Sequence, residues 1–143
     1  MTPDSSRSGR GVGWVIAQFL LFAAIGVSWF FGDGVTPLGW VVAGVGIVIA
    51  VWAGITMGQS LSPFPRPAHD AELVQRGPFR FVRHPIYVGA TLFFAGLSLV
   101  FSVYGLVLTA VLAVFWIAKA RVEERHLSER FPEYADYRRR TLF

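Results

Sequence analysis

Two short stretches hold most of the side chains able to do chemistry: "FRFVRHPIY", Phe79 to Tyr87, and "KARVEERH", Lys119 to His126. The first offers Arg83, His84 and Tyr87. The second offers Lys119, Arg121, Glu123 and Glu124. Carboxylates bind cationic groups, and arginine or histidine binds a carboxylate, so the set suits a charged or zwitterionic small molecule. Other chemistries lack their residues. The chain has no cysteine, which removes disulfides, thiolate nucleophiles and cysteine-ligated zinc. It has no glycine-rich phosphate loop, no H-E-x-x-H helix and no G-x-S-x-G elbow. His69, His84 and His126 follow no ligand spacing, so no metal is expected.

Apolar segments must position these residues. Of 143 residues, 54% are hydrophobic and 15% charged, against about 25% charged in a soluble domain. The net charge of +4 gathers in particular loops, which fits membrane topology rather than a nucleic-acid partner. The pattern predicts an all-α integral membrane protein, one domain over 1–143, with spans at about 13–31, 38–58, 86–101 and 103–118. The first span is expected to be retained rather than cleaved. Pro85 to Ala118 is free of charge and too long for one straight crossing. "FSVYG" offers a turn near Ser102, so the last two spans form a helical hairpin.

A loop over 59–85 and a tail over 119–143 remain. Arg7, Arg10, Arg66, Arg76, Arg80, Arg83 and the basic tail then lie on one side, which the positive-inside rule makes the cytoplasm, with both termini there. Pro63, Pro65 and Pro67 favour an extended start to the loop. "AELVQRG" reads as a strand or short turn, closed by Gly77-Pro78. The tail is helical from Lys119 to about Arg130. "EYADYRRR" is a second short amphipathic helix, suited to a membrane surface or to a solvated basic tail. Gly54 and Gly58 have the spacing of a close helix contact. Trp14, Trp29, Trp40 and Trp116 lie near span ends, as interfacial tryptophans do. A hairpin folded back on itself sets Arg83, His84 and Tyr87 opposite Lys119, Arg121, Glu123 and Glu124.

"GPFRFVRHPIYVG", followed after a hairpin-length apolar run by "EERHLSERFPEYADYRRR", resembles the isoprenylcysteine carboxyl methyltransferase family and its bacterial relatives. The resemblance covers positions 63–140. It implies an integral membrane methyltransferase using S-adenosylmethionine, with the cofactor in a cytoplasm-facing pocket closed by the loop and tail. A tunnel from the bilayer would admit a lipophilic small-molecule or lipidated acceptor. On this resemblance His84, Pro85, Ile86 and Tyr87 contact the cofactor, and Phe79 lies near its adenine or ribose. Ala71, Glu72, Leu73 and Val74 meet it largely through backbone. Glu123 binds it, Glu124 orients basic groups, and Lys119 or Arg121 approaches the acceptor. Phe79 and Phe81 stand where other aromatics, often tyrosine, are common, and Pro132 replaces a glycine.

Physical chemistry agrees with such roles. Methyl transfer from a sulfonium is an in-line displacement, so positioning supplies most of the catalysis. Glu123 suits the cofactor's cationic groups, and Arg83 or His84 its carboxylate. The expected acceptor is a carboxylate, such as a prenylcysteine-like C-terminus, or a thiol. The rivals are a phospholipid or amine N-methyltransferase and a non-catalytic four-helix membrane protein. A transporter would carry charge within its spans, whereas here Gln18 and a few Ser and Thr residues are the polar exceptions. The sequence sets neither the acceptor nor the oligomeric state.

Overall fold

The computed structural model describes residues 5–65 and 71–143, with side chains from Gly11 onward. Arg66, Pro67 and His69, and the side chains of Arg7 and Arg10, lie outside the described residues. The protein is all-helical, with α1 (Ser5–Ser28), α2 (Gly39–Met57), α3 (Pro85–Phe101), α4 (Val103–Arg130) and α5 (Tyr134–Arg140). Helices α1, α2 and α4 are long and apolar enough to cross a membrane, and α3 is apolar but shorter.

Helix α4 is a single rod of 28 residues. At 1.5 Å per residue it runs about 42 Å, beyond a hydrocarbon core of about 30 Å. The apolar hairpin arm and the charged segment after Ala118 are therefore one continuous helix, so Glu123 and Glu124 are held in fixed phase with Trp116 and Lys119. Helix α3 starts on Pro85, whose missing N–H is no loss in a first turn. Its N-cap is His84, which makes no side-chain capping bond, so the ring is free for other partners. Between α3 and α4, Ser102 alone is extended. A Cβ on Gly105 would stand 2.9 Å from the Ser98 Cβ, so the hairpin closes tightly.

Helix α1 stops at Ser28 rather than at position 31. Trp29, Phe30 and Phe31 bond three residues back, to Gly26, Val27 and Ser28. The chain then turns beneath the hairpin tip, where the Val35 and Thr36 N–H groups donate to the Leu99 carbonyl at 2.8 and 3.0 Å.

Helices α2 and α3 touch backbone to backbone. Gly39, Ala43 and Gly46 face Gly89 and Gly96, and a Cβ on Gly89 would stand 2.6 Å from the Ala50 nitrogen. This corrects the expectation for Gly54 and Gly58. Neither has a neighbour within 4 Å of an added Cβ, and Gly58 instead ends α2 at φ 54°. Helix α2 is apolar all round, so sequence spacing alone does not reveal its contact face.

Helices α1 and α4 pack through large side chains. Ile25, Leu112 and Trp116 form the buried cluster, with Phe22, Tyr87 and Phe94 against it. Trp116 is thus a core residue, not an interfacial anchor, because Gln18 supplies an acceptor for its indole N–H at 3.0 Å. Helix α5 turns Tyr134 and Tyr137 inward and leaves Arg138, Arg139 and Arg140 exposed. Its aromatic face therefore packs on protein and not on a membrane surface. The chain ends by returning to the loop. Leu142 bridges Val82, and the Arg83 N–H donates to the Leu142 and Phe143 carbonyls at 2.9 and 2.8 Å.

Candidate functional site

The hairpin brings the two chemical stretches together at the end of the bundle where α4 outruns the apolar core. Tyr87 Oη donates to Glu123 Oε1 at 2.5 Å. His84 spans the carboxylate pair, with Nδ1 3.6 Å from Glu123 Oε2 and Nε2 3.2 Å from Glu124 Oε1. Arg83 Nε donates to Glu124 Oε1 at 2.7 Å, and its Nη1 donates to the Thr141 and Arg138 carbonyls at 2.8 and 3.3 Å. The two glutamates therefore divide their work. Glu124 joins α4 to the loop and tail through Arg83, while Glu123 is turned toward Tyr87 and the interior.

The rings are ordered as a stack. His84 lies 5.6 Å from Tyr87 at 11°, and Tyr87 lies 5.2 Å from Trp116 at 12°. Lys119 Nζ sits 5.5 Å from the Tyr87 ring centroid and donates to Gln18 Oε1 at 3.1 Å and to the Pro63 carbonyl at 2.7 Å. Lys119 and Glu123, one helical turn apart, share the inner face of α4.

These groups border a cavity of about 350 Å³, within the range of small-molecule sites. Gln18, Lys119, Glu123, His84 and Tyr87 line it, together with apolar Met57, Phe79, Ile86 and Leu127. The loop from Ser60 to Pro65 and the segment Ala71–Val74 form another wall, tied together by the bond from the Glu72 N–H to Ser60 Oγ at 3.1 Å. Of the residues expected at the site, Glu72, Leu73, Val74, Phe79, Arg83, His84, Pro85, Ile86, Tyr87, Lys119 and Glu123 line the cavity. Glu124 does not, and sits behind it with Arg83. Arg121 is exposed and apart from the cavity. Helix phase sets Lys119 and not Arg121 at the cavity wall, since two residues turn a helix by about 200°.

Sequence reasoning did not place Gln18, Tyr134 or Tyr137 at the site, yet all three line it. The available signals were a lone amide within an apolar span and a Tyr-x-x-Tyr repeat at helical spacing. Tyr137 Oη donates to the Phe79 carbonyl at 2.8 Å, which pins α5 to the loop. Burial pushes the Tyr137 phenol up to about 12, with Glu124 adding to the rise and Arg83 opposing it. Burial chiefly, and then Glu124, pushes the Tyr134 phenol up as well. Both are neutral hydroxyl donors near neutral pH. The Tyr134 hydroxyl has no hydrogen-bond partner among the described residues. Nor do any three His, Asp or Glu side chains converge as a metal-ligand set among those residues.

Membrane-length helices joined as a hairpin, with a charged cavity at the mouth of the apolar bundle, are the geometry of a membrane-embedded small-molecule site. The chain belongs to the phospholipid methyltransferase family, whose model matches residues 35–134. That family lies within the wider group of membrane methyltransferases like the isoprenylcysteine carboxyl enzymes, so the motif resemblance is refined to a neighbouring branch. Among curated proteins the chain is similar to the cobalt-zinc-cadmium resistance protein CzcN of Cupriavidus metallidurans, 33% identical over 95% of this chain and 62% of that protein. It is also similar to the nickel-cobalt-cadmium resistance protein NccN of Alcaligenes xylosoxydans xylosoxydans, 39% identical over 50% of this chain and 35% of that protein. The chain thus spans less than two thirds of the length of these relatives. No solved structure matches it at comparable significance.

Proposed function

We propose that this chain takes a methyl group from S-adenosylmethionine and passes it to a lipophilic acceptor at the cytoplasmic face of a bacterial inner membrane. The observation that carries this reading is the mixed lining of the cavity. Glu123, His84 and Tyr87 provide polar contacts, Met57, Ile86 and Leu127 provide apolar ones, and both kinds meet at the end of a bilayer-length bundle.

The residues fit the cofactor. The Tyr134 hydroxyl, 1% exposed and without a partner among the described residues, costs about 1–3 kcal/mol unless a bound molecule satisfies it. Glu123 would hold cationic groups of the cofactor, and His84 or Tyr134 its carboxylate. Arg83 is already committed to Glu124 and to tail carbonyls, which makes it a positioning residue. When bound, the cofactor supplies a methyl group on a cationic sulfur, open to in-line displacement. The chain's own residues then bind and orient, and the loop and tail exclude water from the transfer point.

The family favours a phospholipid acceptor, whose amine must lose a proton before it is methylated. Glu123, one of two carboxylates lining the cavity with Glu72, is the one that accepts from Tyr87. A prenylcysteine-like carboxylate is the second reading, supported by the Lys119 ammonium at the cavity wall. From the relatives' names we carry over only a physiological context, resistance to metals such as cobalt and cadmium.

Calorimetric titration of the purified protein with S-adenosylmethionine tests the proposal. The wild type binds, and Glu123→Ala weakens binding at least about tenfold, as loss of a charged hydrogen bond does. His84→Ala weakens it as well. A wild type that does not bind overturns the proposal, and binding that survives both substitutions overturns the assigned site.

A further inference from the structure

Helix α1 precedes the family-matched region, which begins at residue 35, yet it sends one polar side chain into the cavity among the described residues. That side chain is Gln18. Its Oε1 accepts the Trp116 indole N–H at 3.0 Å and the Lys119 ammonium at 3.1 Å. Both partners are donors only, so the amide oxygen must face α4 and the NH₂ group must face away from them. No bond from that NH₂ to protein is formed among the described residues, and Gln18 borders the cavity.

Lys119 is 1% exposed, so water does not solvate it. Two of its three hydrogens go to neutral oxygens, of Gln18 and Pro63. Among the described residues no carboxylate lies within ion-pair distance of it. The nearest carboxylate, Glu123, lies one turn along α4 and is bonded to Tyr87 instead, so the ammonium has no direct ion pair and a closer counter-charge would favour it. The ammonium's third hydrogen and the Gln18 amide hydrogens make no bond to protein among the described residues and are open to an acceptor in the cavity.

We propose that Gln18 is a positioning and specificity residue that, with Lys119, forms a two-donor seat for an oxyanion at the membrane end of the cavity. The chemical class is a carboxylate or phosphate on a lipophilic molecule. It is either a carboxylate that is itself methylated or the phosphate of a lipid whose headgroup is methylated. That the occupant is the methyl acceptor rests on the function proposed above. The seat's preference for an oxyanion stands apart from it.

The test reads binding rather than turnover. Dodecanoate, dodecyl phosphate and dodecylamine are titrated against the protein in nanodiscs, following the ligand-induced change in tryptophan emission that Trp116→Phe abolishes. The wild type binds at least one of the two anions about tenfold more tightly than the amine, the effect of one charge-assisted bond. Preference for phosphate assigns the seat to a lipid headgroup, and preference for carboxylate assigns it to an acid. Gln18→Leu removes most of the discrimination, Gln18→Asn removes part of it, and Lys119→Met abolishes it. Affinity for S-adenosylmethionine is measured in parallel and falls less than anion affinity does in the Gln18 variants, since Gln18 bonds Trp116 and Lys119 rather than Glu123 or His84. Equal binding of anions and amine by the wild type overturns the proposal. So does discrimination unchanged in Gln18→Leu, or, if that variant does not fold, in both Gln18→Asn and Lys119→Met. A parallel loss of S-adenosylmethionine binding in every Gln18 variant also overturns it, by showing a merely structural role. A wild type that discriminates anions yet does not bind S-adenosylmethionine sinks the methyltransferase reading and leaves the seat intact.

Discussion

Two helix contacts in this protein are built in opposite ways. The α2–α3 pair meets through Gly39, Gly46, Gly89 and Gly96, with backbone against backbone and no room for a methyl group. The α1–α4 pair meets through Phe22, Ile25, Leu112 and Trp116, with Gln18 hydrogen-bonded among them. Close small-residue contact gives a stiff pair, because it depends on van der Waals fit along the whole length. Bulky packing holds α1 and α4 further apart and leaves space at the end that carries Gln18 and Lys119. The cavity opens there, with α3 supplying His84 and Tyr87 from the stiff pair and α4 supplying Lys119 and Glu123 from the looser one. The site thus joins two packing styles, one that fixes His84 and Tyr87 in place and one that leaves volume.

The contrast can be broken most severely at Gly89. Gly89→Val drives side-chain atoms into the α2 backbone and costs about 3 kcal/mol or more, read as a fall in unfolding temperature in detergent. A variant as stable as wild type would refute the backbone contact. Arg83→Ala comes next. It leaves Glu124, 13% exposed, without its closest cation and costs about 2 kcal/mol. It also releases the Thr141 carbonyl, so hydrogen exchange should rise over 138–143 while α2 and α3 stay protected. Exchange rising equally across the bundle would show that Arg83 does not tie down the tail specifically.

Tyr134→Phe has a smaller and more telling effect. Removing a buried hydroxyl that has no partner leaves stability unchanged or slightly raised, yet weakens S-adenosylmethionine binding by about fivefold. Unchanged affinity would mean the hydroxyl meets no ligand. The smallest effect is expected for Gly54→Ala. With nothing within 4 Å of the added methyl, it gains up to about 1 kcal/mol of helix propensity. A destabilised Gly54→Ala would mean that α2 packs through a second glycine face.

Much of this was legible in the chain. The hairpin tip at Ser102 followed from a charge-free run too long to cross once, and the helix after Lys119 followed from its ion-pair spacing. The facing of Arg83, His84 and Tyr87 with Glu123 and Glu124 followed from the hairpin, since two strands of chain joined at one end must bring the other ends together. Less visible was the role of α5. Tyr134 and Tyr137 with three arginines fit a membrane surface or a solvated tail equally well, and only packing against Phe79 showed the tyrosines turned inward. Gln18 stood out as polar within an apolar span, but its partners are 98 and 101 residues away.

By itself, then, the sequence determined the apolar segments, their order, the polar ends and the pairing of the motifs beside the hairpin. These depend on hydrophobic length and covalent connectivity, which a linear reading contains. Tertiary structure alone decided the rotation of each helix about its axis. That rotation set Lys119 rather than Arg121 in the cavity, made Gly46 and Gly89 rather than Gly54 and Gly58 the contact glycines, and buried Trp116 against Gln18. A helix apolar on every side carries no stripe to declare its inner face, so only the fit of neighbouring surfaces can choose it.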